Sequence, residues 1–291
     1  MQGQELLQRQ GRLRSSWKVV VLFSLLGLAA HAFGAEYQIE ANIRYSLHPE
    51  TVLDIVQARG PALKNRPGVI VIHGGGWIQG NKESMLERFC LPFVEYGFVV
   101  ANVEYRLAQS ATAPAAVNDV LEAAKWFRDH AAGYKVDPNQ IIVTGSSAGA
   151  HLAMMVGMAP ESAGLGPSVK IAAIINFYGI SDVPDQLQGP HLQTYAVTWV
   201  PEQADRMELA KKLSPITYVR KGLPPVLSIH GDADPVVPYE QSVRLTKELK
   251  AAGDQAELIT VPGGEHGFPP KEMSQLWPQI FKWLKKHKIS S

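Results

Sequence analysis

Ser147 sits at the centre of Gly145-Ser146-Ser147-Ala148-Gly149, a G-x-S-x-G pattern that follows the apolar run 140–144 (QIIVT) and opens a helical stretch to Met158. In a strand–turn–helix setting such a serine occupies a strained elbow, and the flanking glycines leave room where strand and helix nearly touch. Its hydroxyl then stands at a helix N-terminus, where backbone amides can hold an oxyanion. The pattern alone is short, and a Gly/Ser-rich turn matches it by chance. A second motif adds weight: His73-Gly74-Gly75-Gly76-Trp77 follows the strand-like run 68–72 (GVIVI). Consecutive glycines let the backbone approach a bound group and turn its amides towards it. No Gly-Lys-Ser/Thr ending follows, which argues against a phosphate loop. Gly75 and Gly76 from this loop, with Ala148 from the elbow, are the candidate oxyanion donors. The competing reading is a glycine-rich turn over a buried Trp77.

A serine nucleophile needs a base, and the base needs an orienting acid. With such an elbow the chain order is serine, acid, histidine. Gly231-Asp232-Ala233-Asp234-Pro235 follows the run 225–230 (PVLSIH), and Gly263-Gly264-Glu265-His266-Gly267-Phe268 follows the run 256–261 (AELITV). Each candidate thus lies at a strand's C-terminal end, the sheet edge that carries the elbow. His266 is the favoured base. His287 falls in a basic terminal helix, His73 and His230 at strand ends read as structural, and His151, one turn beyond Ser147, points along its own helix. Asp234 is the favoured acid. Asp232, nearer the strand, can hold the turn, and Glu265 adjoins His266 too closely to orient it.

These groups need a scaffold, and the chain alternates accordingly. Segments 37–46 and 51–58, separated by His48-Pro49, read as an antiparallel hairpin. Runs 68–72, 97–104, 140–144, 171–178, 225–230 and 256–261 read as strands, the apolar ones buried on both faces. Helical spacing marks 115–132, 147–158, 238–252 and 271–287. The expectation is an α/β fold with a mostly parallel central sheet, helices on both faces and a leading antiparallel hairpin. Residues 181–214 interrupt the alternation with Pro184, Gly189, Pro190 and Pro201, and read as a lid insertion. Its Tyr195 and Trp199, with Trp77, are candidate substrate-binding residues, since aromatic rings stack on sugars or phenolic acids; packing of the insertion on the body explains them equally.

Composition excludes several classes. Lys and Arg number 28 against 27 Asp and Glu, so no basic excess points to nucleic acid. One cysteine, Cys90, excludes an intramolecular disulfide and a cysteine-rich zinc site, and the histidine spacings match no metal-ligand set. No metal or organic cofactor is implied.

With HGGGW, GSSAG, HGDADPVVP and GGEHGF in that order, the chain resembles the α/β-hydrolase superfamily, and more narrowly secreted bacterial acetyl-xylan and feruloyl esterase-like enzymes, related to hormone-sensitive-lipase-like carboxylesterases. HGGGWIQGNK (73–82), VEYRL (103–107), SAGAHLA (147–153) and Ser214-Pro215-Ile216 extend the likeness to about residues 50–290. Two departures stand out: Ser146 where hormone-sensitive-lipase-like enzymes usually carry Asp, and Ala108-Gln109-Ser110 where they carry Ala-Pro-Glu. The resemblance implies Ser147 as nucleophile, His266 as general acid/base, Asp234 as its orienter, and Gly75, Gly76 and Ala148 as oxyanion donors. The same likeness offers Arg106 and Asp119 as a structural ion pair beneath the site, with a solvated pair as the equal alternative. The implied reaction is hydrolysis of short-acyl or hydroxycinnamoyl esters, of small molecules or carbohydrates, through an acyl-serine. The alternatives are an amide-cleaving relative, such as an arylformamidase or a peptidase, and a non-catalytic binding protein on the same fold.

The N-terminus carries an address. Arg9, Arg12, Arg14 and Lys18 precede the uncharged run Val19–Ala30, and small residues follow at Ala30, Ala32 and Gly34. This order reads as a signal peptide over residues 1–34, leaving one hydrolase domain over 35–291 and a secreted or periplasmic protein with no stable membrane insertion after cleavage. The apolar run is shorter than the roughly 20 residues a spanning helix needs, which disfavours an uncleaved anchor. Removal of residues 1–34 takes away four basic residues and one acidic residue, leaving a net charge of −2. The expected mature N-terminus lies within residues 33–36. Intact mass of the exported fraction checks this, and a full-length chain held in the membrane would contradict it.

Overall fold

The computed structural model describes residues 36–60 and 65–290, all within one compact unit, Gly34–Ser291. Residues 1–34, read above as a signal peptide, lie outside the described residues. No helix among the described residues is long and apolar enough to cross a membrane.

Among the described residues, eight strands form one sheet: β1 (Tyr37–Arg44), β2 (Val52–Ala58), β3 (Arg66–Ile72), β4 (Val99–Val103), β5 (Val136–Ser146), β6 (Ile174–Phe177), β7 (Val226–Gly231) and β8 (Ala256–Val261). Their order is β1-β2-β4-β3-β5-β6-β7-β8. β1 and β2 are the antiparallel hairpin, β2 pairs antiparallel with β4, and every later pairing is parallel. The helices are α1 (Leu91–Glu95), α2 (Ala115–His130), α3 (Ala148–Met158), α4 (Thr194–Trp199), α5 (Arg206–Lys212), α6 (Tyr239–Ala251) and α7 (Pro270–Lys286).

Strand alternation divides the core in two. Ile70 and Ile72 of β3, Val99 and Val103 of β4, and Val143 of β5 face one side, where Val120 and Phe127 of α2, Leu152 of α3 and Leu245 of α6 cover them. Val69 and Val71, Val100 and Ile142 face the other, under Phe93 of α1 and Leu276, Trp277 and Ile280 of α7. Such runs are apolar throughout because helices cover both faces of a parallel sheet. The expected elements are present, with shifted ends: β5 begins at Val136 rather than 140, and β6 shortens to 174–177. α1 had no sequence counterpart. It follows a π-helical turn, Leu86–Cys90, and carries Pro92 in its first turn, so no sustained 3.6-residue period develops.

Because β3, β5, β6, β7 and β8 are parallel neighbours, their C-terminal ends share one sheet edge. Ligand sites in such sheets lie outside the carboxyl ends of the strands. One tight joint on that edge is where β5 passes into α3. A Cβ on Gly149 would meet the carbonyl oxygens of Ile72 at 2.2 Å and His73 at 2.4 Å. Both are backbone atoms of the neighbouring strand and its loop, which cannot step aside like the end of a side chain. Gly149→Ala is therefore expected to cost about 2–3 kcal/mol, a fall in Tm of roughly 4–12 °C, or to abolish folding. Gly133→Ala, where a Cβ meets nothing within 4 Å, is the control. Thermal unfolding of both variants checks this, and equal Tm values would contradict it.

Candidate active site

Ser147 is held at φ 55° and ψ −123°, a left-handed backbone that a non-glycine residue rarely adopts. The amide of Ser147 donates to Phe177 O at 2.9 Å, and its carbonyl accepts from His151 N at 3.0 Å. The strain lifts the side chain off the sheet edge. Ser147 Oγ lies 2.9 Å from His266 Nε2, and His266 Nδ1 lies 2.7 Å from Asp234 Oδ2. Nδ1–H donates to the carboxylate, which leaves Nε2 free to accept the serine proton. The three expected residues, from the ends of β5, β7 and β8, thus form one hydrogen-bonded line that can activate the hydroxyl.

Asp234 is fully buried yet charged. Burial pushes its carboxyl up, but hydrogen bonds from His230 and His266, the charge of His266 and the Val237 amide outweigh that and hold it well below the usual carboxylate range. Its Oδ1 accepts from the amides of Val236 at 2.8 Å and Val237 at 3.0 Å, so the loop closes around its own acid. Asp232 takes the other expected part: it accepts from Gly263 N at 2.6 Å and ties the acid loop to the histidine loop. Glu265 makes no contact with the imidazole among the described bonds.

Gly75 and Gly76 have φ 114° and 61°, and a Cβ on Gly75 would fall 1.9 Å from Gln79 O, so only glycine fits that turn. Their amides donate to no protein acceptor among the described backbone bonds. The Ala148 amide opens α3 and has no intrahelical acceptor. The three expected donors are thus uncommitted. The loop is anchored from below. His73 Nε2 lies 2.9 Å from Glu104, whose other oxygen accepts from Lys82 N, and buried Lys82 Nζ meets Asp54 at 2.9 Å. Arg106 and Asp119 form the ion pair, Nη2 to Oδ1 at 2.6 Å with Asp119 buried.

Two of the three aromatic candidates need correction. Trp77 and Trp199 are wholly buried and stack on one another, ring centroids 4.1 Å apart. Trp77 Nε1 donates to His151 Nδ1 at 3.2 Å, and His151 Nε2 meets Leu213 O at 2.7 Å. Burial pushes the His151 imidazole down to about 4, so it stays neutral and serves as a fixed link. These rings clamp the insertion and the glycine loop to α3 and offer no face to a substrate. Tyr195 keeps some exposure. It lies against Gly76, and its hydroxyl donates to Gln186 at 2.5 Å. The insertion holds α4, α5 and two 3-10 turns, with Val183, Leu187 and Leu213 in the core.

Three residues of the site had no clear sequence signal. His230 Nε2 lies 3.2 Å from Asp234 Oδ2. Tyr178, at φ 43°, stacks edge-on against His266 with centroids 4.9 Å apart. Arg88 donates to Phe268 O and bonds the Tyr178 hydroxyl. His230 was visible only as a histidine ending a strand, and Tyr178 and Arg88 as members of no motif.

Against known proteins, residues 53–249 match the family model BD-FAE. That stretch holds the glycine loop, the elbow and the acid loop; His266 lies beyond it. Esterase LipQ of Mycobacterium tuberculosis is 32% identical over 75% of this chain and 54% of its own length. The chain spans about half the length of the curated relatives it matches. Among solved structures, a truncated carbohydrate esterase from gut microbiota superposes with a TM-score of 0.74 at 28% identity, covering 86% of this chain and 98% of its own. The propionate-bound esterase Est2 of Thermogutta terrifontis gives 0.72 at 26%, covering 89% and 96%. The matched stretch, the parallel strand edge and the serine elbow agree, and the chain belongs to the BD-FAE family of α/β-hydrolases.

Proposed function

We propose that the protein is a serine carboxylesterase that cleaves short acyl esters through an acyl-serine, with Ser147 as nucleophile, His266 as base and acid, and Asp234 as orienter. The observation that carries this reading is the line from Ser147 Oγ through His266 to the buried Asp234, at 2.9 and 2.7 Å. In the first half, His266 Nε2 takes the serine proton as Oγ attacks the ester carbonyl. The amides of Gly75, Gly76 and Ala148 receive the oxyanion, and the imidazolium returns the proton to the leaving alcohol. In the second half, water takes the place of the alcohol and the same groups release the acid.

The alcohol is proposed to be a carbohydrate or another hydroxyl-rich group. A cleft of about 210 Å³ beside the acid loop is lined by His191, Gln193, Asp232, Tyr239 and Glu240, which can bond hydroxyls. The similarity to a carbohydrate esterase points the same way. The acyl side is proposed to be short. α4 and α5, of six and seven residues, make no long apolar lid, and Est2 is known with propionate and with butyrate bound. A hydroxycinnamoyl group is the second acyl class proposed, with Tyr195 as the aromatic neighbour. The chain is also proposed to act outside the cytoplasm, on the strength of its N-terminal sequence.

Asp234→Asn is expected to lower kcat by about 10³–10⁴-fold, because an amide can leave His266 in the wrong tautomer. Asp232→Asn, which only loosens a loop tie, is expected to cost under about tenfold. Steady-state kinetics on p-nitrophenyl acetate check this, and a larger loss at Asp232 would contradict the assignment. For substrate, kcat/KM is expected to peak at acetyl to butyryl in a p-nitrophenyl series and to extend to acetylated xylan or methyl ferulate. A peak at octanoyl or longer, with neither natural ester cleaved, would overturn this reading.

A further inference from the structure

The acid of the triad has a second imidazole on it. Asp234 Oδ2 faces His266 Nδ1 at 2.7 Å on one side and His230 Nε2 at 3.2 Å on the other. His230 Nε2 also faces Val237 O at 3.1 Å. Both neighbours of that nitrogen are acceptors, so it must carry the proton. The other nitrogen, Nδ1, lies 2.7 Å from Ser242 Oγ, near the start of α6, where, with the proton on Nε2, it is placed to accept from the serine hydroxyl. His230 and Ser242 are both wholly buried, so neither bond competes with water. The result is one line of donors converging on a carboxylate from two sides: Ser242, His230, Asp234, His266, Ser147.

We propose that His230, set by Ser242, is a positioning and tuning residue of the catalytic site: its Nε2–H fixes Asp234 Oδ2 and draws off part of the carboxylate's charge, which weakens the hold of Asp234 on the proton that His266 carries during turnover. This rests on the triad reading above. The physical basis is that a carboxylate already hydrogen-bonded on the same oxygen is a poorer partner for an imidazolium. His266 then gives up its proton more readily to the leaving alcohol and is more often free to act as base. Other groups around the two rings do not imitate this. Tyr178 faces His266 at 4.9 Å and His230 at 6.5 Å, Tyr239 faces His230 at 5.8 Å, and Arg88 reaches the Tyr178 hydroxyl. Burial pushes the Tyr178 hydroxyl up, so Tyr178 brings no charge of its own to either ring.

The test is the pH profile of kcat/KM on p-nitrophenyl acetate, between about pH 5 and 9, whose acid limb reports the free enzyme's base. His230→Leu removes the donor. Its acid limb is expected to rise by about half a pH unit or more, a roughly threefold loss on the acid side. His230→Gln, whose side-chain amide can replace Nε2–H, is expected to bring the limb back towards the parent. Ser242→Ala keeps the ring and is expected to shift the limb in the same direction by less; it decides the matter should the leucine variant fail to fold. A fall in kcat/KM by one factor at every pH, or a limb that stays or moves down, would overturn the proposal. Asp234→Asn in the same assay separates the two readings. If it stays active, the triad assignment fails; if it is inactive while the limb of the His230→Leu and Ser242→Ala variants does not move, only the role of His230 fails.

Discussion

The joint between β5 and α3 sets the rest of the site. Ile72 O lies where a Gly149 side chain would be, and Gly145 and Gly149 are so close that a Cβ on the former would sit 2.5 Å from the latter's carbonyl. With strand and helix in contact, the chain has one residue in which to reverse. Ser147 takes the turn at φ 55°, a conformation its side chain disfavours. The strain is held by bonds on both sides of it, from Ser147 N to Phe177 O and from His151 N to Ser147 O. Its effect is to place a hydroxyl and the first free amide of α3 together above the sheet.

The other participants are brought to that point by loops that satisfy themselves before they meet a substrate. The acid loop wraps Asp234 in two backbone amides and two imidazoles, which lets a carboxylate stay ionised with no exposed surface. The Gly75 and Gly76 amides have no acceptor among the described bonds, and the loop's position is fixed from outside by Trp77 between Trp199 and His151 and by the His73–Glu104 and Lys82–Asp54 pairs. Preorganised donors of this kind stabilise developing charge without reorganising at the moment of reaction. The insertion contributes as a wall: its core residues are continuous with the main body, and Tyr195 touches Gly76.

Much of this was legible in the sequence, for a physical reason. Apolar runs such as GVIVI announce strands covered on both faces, and a parallel sheet puts whatever follows each strand on one edge. Hence Ser147, Asp234 and His266 could be placed on one sheet edge from local context alone, and they lie in hydrogen-bond contact there. Asp232, the nearer aspartate, reads as holding the turn, and it bonds Gly263 N while Asp234 faces His266. What stayed hidden depends on contacts between distant segments. His230 ends a strand like many histidines, and only the curl of 232–237 brings Asp234 back onto it. Trp77 and Trp199 were candidate ligand rings because aromatic faces stack on sugars and phenolic acids, with packing the equal reading, and the pair finds its partner in itself. α1, α4 and α5 are too short for periodicity to show.

The central claim is that the strained Ser147 hydroxyl, and no other, is the nucleophile. Ser146 is its immediate neighbour in the same motif and makes a demanding control. Incubation with a fluorophosphonate, followed by peptide mass spectrometry, reads this directly. The account predicts a single adduct on Ser147, lost in Ser147→Ala with the fold retained by circular dichroism. An adduct on Ser146, or labelling that persists in the Ser147→Ala variant, would contradict it.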